Sequence, residues 1–572
     1  MAKRSVHDPL VDPPPITLRA LFPIIEWLPK YNWGRTFGKD LVAGIALAAL
    51  LIPESMGYAT VAGVPTEVGL YAALAACFVY AITGGTSILV VGPASAVAAL
   101  SAAVIADFPG DANPAAIAAG LAISSGVLLV LAGLLRLGWI VNFISRPVLH
   151  AFVAGLSISI IIGQLDSLLG VEVDGESAVA KLVSVVANFA DWQWATVAVG
   201  VGAVAGMLLL ERFIPRLPAA VIAVAAGISL VAFFGLEADG VEVVGDIPVG
   251  LPGIGLPQFS VTDWLQLFAG GFALILVGFS EGYASASSIA GESGEEVDAD
   301  QELFGSGTAN IAAGLVGGLA VGGSLSKSSA AMAAGARSQI TNVVAGVIVL
   351  ATLLFLAPVF EMLPEPILAA VVIVALLHSA DPRRVTRLWA VNRTDFAAGL
   401  VTFTLVLVWE TLPAMVVGVL LSLAFVIRRV SFPDVAELRP DGDGKFHSLL
   451  TEPELRETLP GMAGVVVLRF SAPLIYANAG RFQTAAERLI AQHPATTRLV
   501  IDAAMFADLD ASGAEALEHL DDVLAKSNIE LHLARVHRRA QQQIHRSELG
   551  PRFTGRIHET VQEATGWVKD PH

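Results

Sequence analysis

Gly322-Gly323-Ser324-Leu325-Ser326-Lys327-Ser328 interrupts an apolar segment with residues that an ordinary spanning helix does not carry. Gly weakens a helix interior, Ser competes for backbone hydrogen bonds, and a lysine within lipid is costly unless it faces a cavity or a partner. A second stretch, from Gly84 through Val91-Gly92-Pro93-Ala94-Ser95, is broken in the same way. Each break stands third in its own run of about seven apolar segments, and such a matched pair points to a midplane substrate site in an inverted-repeat transporter. Helices restarting near Ala94 and Ser326 would turn unpaired N–H groups toward one point, an arrangement that favours anions. Ala94, Ser95 and Ala96 in the first break and Ser326, Lys327 and Ser328 in the second are therefore the candidate substrate-binding residues. The ammonium would supply charge, and the N–H and hydroxyl groups would supply direction. Two blander readings stand beside this one. A Ser at a helix start is an ordinary N-cap, and a buried lysine can snorkel to the interface or neutralise Glu54 or Glu281.

Working outward, 55% hydrophobic and 15% charged residues, with a mean hydropathy of +0.69, place the chain among polytopic membrane proteins. Candidate spans fall at 41–60, 68–84, 94–106, 115–136, 147–168, 193–213 and 218–235, then at 263–290, 302–317, 326–336, 339–360, 365–379, 395–410 and 412–428. Seven plus seven makes the halves antiparallel, with one repeat over 40–236 and the other over 263–430. Lys and Arg gather in loops on the inner side of a bilayer. Starting inside, the inner loops hold Arg136, Arg146, Arg212, Arg216, Arg337, Arg383, Arg384, Arg387 and Arg393, the last span exits at Arg428 and Arg429, and the outer loops hold only Lys181. Residues 1–39, with Lys3, Arg4, Arg19, Lys30, Arg35 and Lys39, lack the apolar core of a signal peptide. Both termini are expected in the cytoplasm and the spans in the plasma (inner) membrane. The net charge of −17 resides largely in exposed loops and carries no functional weight. Cys77, the single cysteine, excludes a disulfide or a thiolate cluster.

Residues 431–572 have ordinary soluble composition. Gly464–Phe470, Thr497–Asp502 and Ile529–Arg535 read as strands, with helices at Asn478–Ala491 and Ser512–Ser527. No phosphate loop, nucleophile elbow or metal spacing precedes these helices, so this α/β domain is expected to regulate or assemble. The chain is not expected to be an enzyme or to need a cofactor.

Two acidic residues are candidates for ion coupling. Glu54 lies about 21 Å along a helix from Asp40, inside the hydrocarbon region, where a protonatable carboxyl would bring a positive charge with each anion. The alternative is a water-exposed Glu at the outer end of a helix broken at Pro53. Glu281, in Phe279-Ser280-Glu281-Gly282-Tyr283, could release a proton or help to hold sodium beside the substrate. Its late place in a long span equally suits a cytoplasmic end. Tyr58, Gln164 and His150 are polar residues of spans that packing or the interface explains.

Read together, Asp40-Leu41-Val42-Ala43-Gly44, Ile52-Pro53-Glu54-Ser55-Met56-Gly57-Tyr58-Ala59, Gly63-Val64-Pro65, Gly69-Leu70-Tyr71, Val91-Gly92-Pro93 and Gly323-Ser324-Leu325-Ser326-Lys327-Ser328 resemble the sulfate permease (SulP) family of anion transporters. Val500-Ile501-Asp502 and Asp510-Ala511-Ser512-Gly513 resemble its C-terminal STAS domain. The resemblance implies inverted seven-segment repeats divided into a core that carries substrate and a gate that supports movement, elevator-like alternating access, and a homodimer. It also implies that Ser512 occupies a position phosphorylated in anti-sigma-factor antagonists; a plain N-cap is the other reading. Many relatives have Gln at Glu54 and Arg at Lys327, and both departures bear on ion coupling. The function expected is proton- or sodium-coupled symport of a small anion, most simply sulfate. Bicarbonate or a dicarboxylate fits the same site. A membrane-anchored STAS sensor, with cytoplasmic regulators as partners, is the distant alternative, and no nucleic acid is expected to bind.

Overall fold

The computed structural model describes residues 17–567 except 144, 176, 215–217, 252, 378–379, 382, 387 and 410. Lys3, Arg4, Arg216 and Arg387 of the charge argument lie outside the described residues. Helices occupy each of the fourteen apolar segments. The first repeat holds α1 (Phe37–Val61), α2 (Thr66–Thr83), strand β1 (Val90–Gly92), α3 (Ser95–Ala106), α4 (Pro114–Leu134), α5 (Arg146–Gly163), α6 (Trp194–Phe213) and α7 (Ala219–Phe234). The second holds α8 (Val261–Ser293), α9 (Ala299–Leu315), strand β2 (Gly322–Ser324), α10 (Leu325–Ala333), α11 (Ile340–Ala351), α12 (Glu365–Leu377), α13 (Arg393–Val408) and α14 (Thr411–Ser431).

Among the described residues, seven helices are long and apolar enough to cross a membrane alone. The two that follow the breaks are not. α3 has 12 residues and α10 has nine, about 18 and 14 Å of helix against a hydrocarbon core of about 30 Å. Neither reaches across the hydrocarbon core by its own length.

The helices sort into two interleaved sets. α1 to α4 pack with α8 to α11, with α9 against α4 and α2, and α11 against α1 and α2. α5 to α7 pack with α12 and α13, and Gly418 of α14 lies against Thr402 of α13 and Val148 of α5. The sets touch where α12 and α7 meet α1 and where α3 and α8 meet α5. Small residues make the close crossings possible: a Cβ on Gly307 of α9 would stand 2.7 Å from the backbone nitrogen of Val130 on α4.

The chain divides into two compact units inside α14, between Ser422 and Leu423. The second unit carries a six-stranded sheet in the order β4-β3-β5-β6-β7-β8, with β3 Val435–Pro440, β4 Phe446–Ser448, β5 Val465–Phe470, β6 Arg498–Asp502, β7 Glu530–Ala534 and β8 Ile557–His558. β5 to β8 run parallel and β3 pairs antiparallel with both neighbours. The helices are α15 (Leu455–Thr458), α16 (Ala479–Gln492), α17 (Ala511–Lys526), α18 (Arg538–Arg546), α19 (Leu549–Arg552) and α20 (Val561–Thr565). Phe470, Phe482 and Phe506 form an edge-to-face triad in its core. Asp502 is fully buried and accepts from Arg469 Nε at 2.7 Å and Arg535 Nε at 2.9 Å. Burial pushes its carboxyl up, but the two guanidiniums outweigh burial and hold it below the usual carboxylate range.

Candidate functional site

The two breaks pair with each other. β1 and β2 form an antiparallel ribbon in which Val90 faces Ser324, Val91 faces Gly323 and Gly92 faces Gly322. At Gly323 backbone meets backbone, since a Cβ there would stand 2.9 Å from Gly282 Cα on α8, whereas one on Gly92 would meet only the Leu51 side chain on α1, at 3.2 Å. β1 leads into α3 and β2 into α10, so the half-helices begin at opposite ends of a ribbon about 10 Å long.

Buried polar side chains satisfy backbone that neither half-helix can reach. Asn310 of α9 donates to Val321 O at 2.8 Å and accepts from Val321 N at 2.9 Å. Gln339 and Asn342 donate to Leu89 O at 3.1 and 2.9 Å. Ser328 Oγ accepts from Val90 N at 2.9 Å and donates to Ser324 O at 2.6 Å. Its hydroxyl therefore braces the ribbon. Ser326 is exposed, with its Oγ 3.1 Å from Ser324 Oγ. Ser324, one residue before α10, is the side chain that caps the helix, accepting from Lys327 N at 3.4 Å. In the first break Ala94 occupies the cap position of α3, Ser95 is half-buried and Ala96 is buried.

Lys327 joins the repeats. It is 1% exposed, its Nζ lies 2.8 Å from Glu54 Oε2, donates to Pro93 O at 2.9 Å and sits 4.9 Å from the Tyr58 ring centroid. Glu54 is 2% exposed, which removes the reading of a water-exposed helix end. Among the described residues that ammonium is the partner given for its Oε2. Glu281 is half-buried, and the next residue, Gly282, abuts β2. That places Glu281 at the level of the ribbon, although it comes late in a helix of 33 residues. The ends of α8 extend well past the breaks, since 33 residues span about 50 Å. Glu281 and Glu54 both lie within electrostatic range of Tyr58, and Glu281 within range of Lys327.

The arrangement is a cation, a carboxylate in contact with it and a second carboxylate nearby, beside a short ribbon from whose two ends the half-helices start. Chemically it can exchange one anionic partner of Lys327 for another. Sequence reasoning did not single out Ser324, Asn310, Gln339 or Asn342. Amide side chains inside apolar spans were the signal for the last three. It also missed Glu302 of α9, which is buried and accepts from Tyr80 Oη at 2.7 Å and Thr86 Oγ1 at 2.5 Å, fixing the loop that enters β1. In the second unit, Asp510 caps α17 by accepting from Gly513 N at 2.7 Å. Ser512 is the second helical residue and half-buried, so it is not the cap.

Residues 37–402 match the sulfate permease family model. The chain belongs to the sulfate permease family. Residues 458–564 match the STAS domain, and the fold is that of the family, inverted seven-segment repeats followed by an α/β STAS domain. A protein of Mycobacterium tuberculosis named "Probable sulfate transporter" is 34% identical over 87% of this chain and 89% of its own length. "Sulfate transporter 4.1, chloroplastic" of Arabidopsis thaliana is 30% identical over 96% of this chain and 83% of its own. Among solved structures, the murine Slc26a9 anion transporter in its inward-facing state superposes with a TM-score of 0.86 at 21% identity, covering 95% of this chain and 93% of that one. The transmembrane domain of the cyanobacterial bicarbonate transporter BicA superposes with a TM-score of 0.58 at 21% identity, covering 68% and 97%. At such identities these two likenesses speak for the fold alone.

Proposed function

We propose that this sulfate permease relative is a secondary active transporter that carries a small oxyanion, sulfate first, in symport with a proton. The observation that carries this reading is the buried Lys327–Glu54 contact at 2.8 Å. While Glu54 is ionised it occupies Lys327, the cation at the ribbon, and an incoming anion meets a neutralised pair. Protonating Glu54 removes the competing charge and leaves Lys327, with the N-termini of α3 and α10, to hold the anion. Leaving either charge alone in a dry site is costly, so proton and anion enter together. Glu281 adds a second carboxylate beside the same lysine and raises the cost of anion binding until one carboxyl is neutral. In this reading Ser95, Ala96 and Ser326 supply N–H groups at the two helix starts, and Ser328 keeps the ribbon in register.

The division into two helix sets supports an elevator-like displacement of α1–α4 with α8–α11 against the remaining helices, the two STAS-bearing chains of a homodimer providing the fixed frame. The names of the relatives favour sulfate. Uptake of labelled sulfate, bicarbonate and succinate into proteoliposomes, under an imposed proton or sodium gradient, tests the reading. Sulfate accumulation driven by the proton gradient supports it. Accumulation of bicarbonate alone, or driven by sodium alone, replaces the substrate or the coupling ion, and no flux of any anion by correctly inserted protein removes the transport reading.

A further inference from the structure

Beyond the transport site, the second unit contains an open-mouthed cavity of about 470 Å3. Its floor is apolar, formed by Val435, Leu468 and Leu489, and its rim carries Arg456, Arg481 and Arg488. Arg481 and Arg488 stand seven residues apart on α16 and so share one face of that helix, while Arg456 comes from α15. Arg481 is already oriented: its Nε donates to Pro433 O at 3.3 Å and its guanidinium lies 5.4 Å from the Phe432 ring centroid. The carboxylate at the rim, Glu437, is occupied by Arg439 Nε at 2.7 Å and His493 Nε2 at 3.5 Å. Among the described residues neither Arg456 nor Arg488 has an ion-pair partner.

Exposed arginines on a helix face are common and indicate nothing alone. Here they converge on a cavity within the about 300–1,000 Å3 range of small-ligand sites. Guanidinium groups in that setting match phosphate oxygens through paired N–H donors. The wall also contains Phe432, the residue immediately after α14, and the last turn of α14 carries Arg428 and Arg429. Basic residues close in the chain to the end of a spanning helix, together with a cavity that joins arginines to apolar side chains, suit a phosphate group joined to a hydrophobic body.

We propose that this cavity binds the phosphate-bearing headgroup of an anionic membrane lipid. Position and apolar floor favour a lipid over a soluble phosphate ester, which shares the same chemistry. The test uses full-length protein in neutral detergent, with binding of dioctanoyl phosphatidic acid followed by thermophoresis, and with inorganic phosphate, glycerol 3-phosphate and dioctanoyl phosphatidylcholine as further probes. The expected result is saturable binding of the phosphatidic acid, weakened at least tenfold in Arg481→Gln/Arg488→Gln. Binding should be unchanged in Arg538→Gln/Arg546→Gln, which removes the same charge from exposed positions of α18. Thermal unfolding of each variant establishes that it is folded. Equal loss in both double variants, or equal binding of phosphatidylcholine, overturns the site. Full competition by glycerol 3-phosphate or inorganic phosphate overturns the lipid and assigns the cavity to a soluble ligand. None of these outcomes depends on the transport reading, because no flux is measured.

Discussion

Lys327 and Glu54 each make the other tolerable in a dry interior, and that mutual dependence is measurable as stability. Removing one partner of a buried pair leaves an uncompensated charge and costs about 3–5 kcal/mol, whereas removing both charges is often neutral. Lys327→Ala is therefore expected to destabilise the membrane unit by about that amount, and Lys327→Gln/Glu54→Gln to recover most of it, as read by thermal unfolding in detergent. If the double variant is as unstable as the single one, packing around the lysine rather than charge governs the site. Ser328→Ala is a milder case. It removes the acceptor for the buried Val90 N–H, at a cost of about 1–3 kcal/mol, and is expected to slow uptake without altering which anion is preferred. A changed preference would place the hydroxyl on the substrate. The charged residues were legible in the sequence because lysine and glutamate are rare in lipid. Their pairing was open, since a residue type gives no partner: the same reasoning allowed Lys327 to face an anion, Glu54 or Glu281.

At the scale of elements, the fourteen segments could be read from apolar runs that end at Gly, Pro or charge, and the breaks from runs too rich in Gly and Ser to be helix. The ribbon could not. Val90 and Ser328 are more than two hundred residues apart, and a three-residue strand leaves no periodicity to detect. β4 and β8 of the STAS sheet, three and two residues long at its two edges, escaped for the same reason of shortness, whereas β3, six residues with alternate side chains buried, carried a period-2 signal that was passed over. The close approach of β2 to α8 makes Gly323 a test of the ribbon. Gly323→Ala would press a Cβ against Gly282 Cα at 2.9 Å, a contact of backbone that cannot rotate away. An overpacking cost of about 1–3 kcal/mol follows, with loss of uptake; full activity would show that the ribbon opens during transport. In the STAS sheet, His532 of β7 lies 2.9 Å from His558 of β8, with Glu530 at its other nitrogen and Arg498 of β6 nearby. Burial, ahead of Arg498 and His558, pushes His532 below its ordinary range despite Glu530. The unfolded chain then takes up a proton that the folded sheet resists, so this contribution is intact above about pH 6.5 and lost as pH falls below it. Hydrogen exchange in β7 and β8, corrected for intrinsic rates, is expected to quicken between pH 7.5 and 5.5, and His532→Asn to flatten the change. Equal pH dependence in the variant would assign it elsewhere.

For the whole molecule, the inverted repeats explain why the candidate site draws on both halves: α10 brings the lysine, α1 the carboxylate, and Pro93, between β1 and α3, the carbonyl that accepts from the ammonium. The family gives the fold, and the contact between Lys327 and Glu54 gives a reason for an anion to move with a proton. The direct measurement is sulfate uptake into proteoliposomes at several external pH values, with Glu54→Gln beside the native protein. The account predicts that native uptake rises as external pH falls and concentrates sulfate against its gradient, while Glu54→Gln still exchanges sulfate, independently of pH, and accumulates none. Proton-driven accumulation by Glu54→Gln equal to that of the native protein would contradict it.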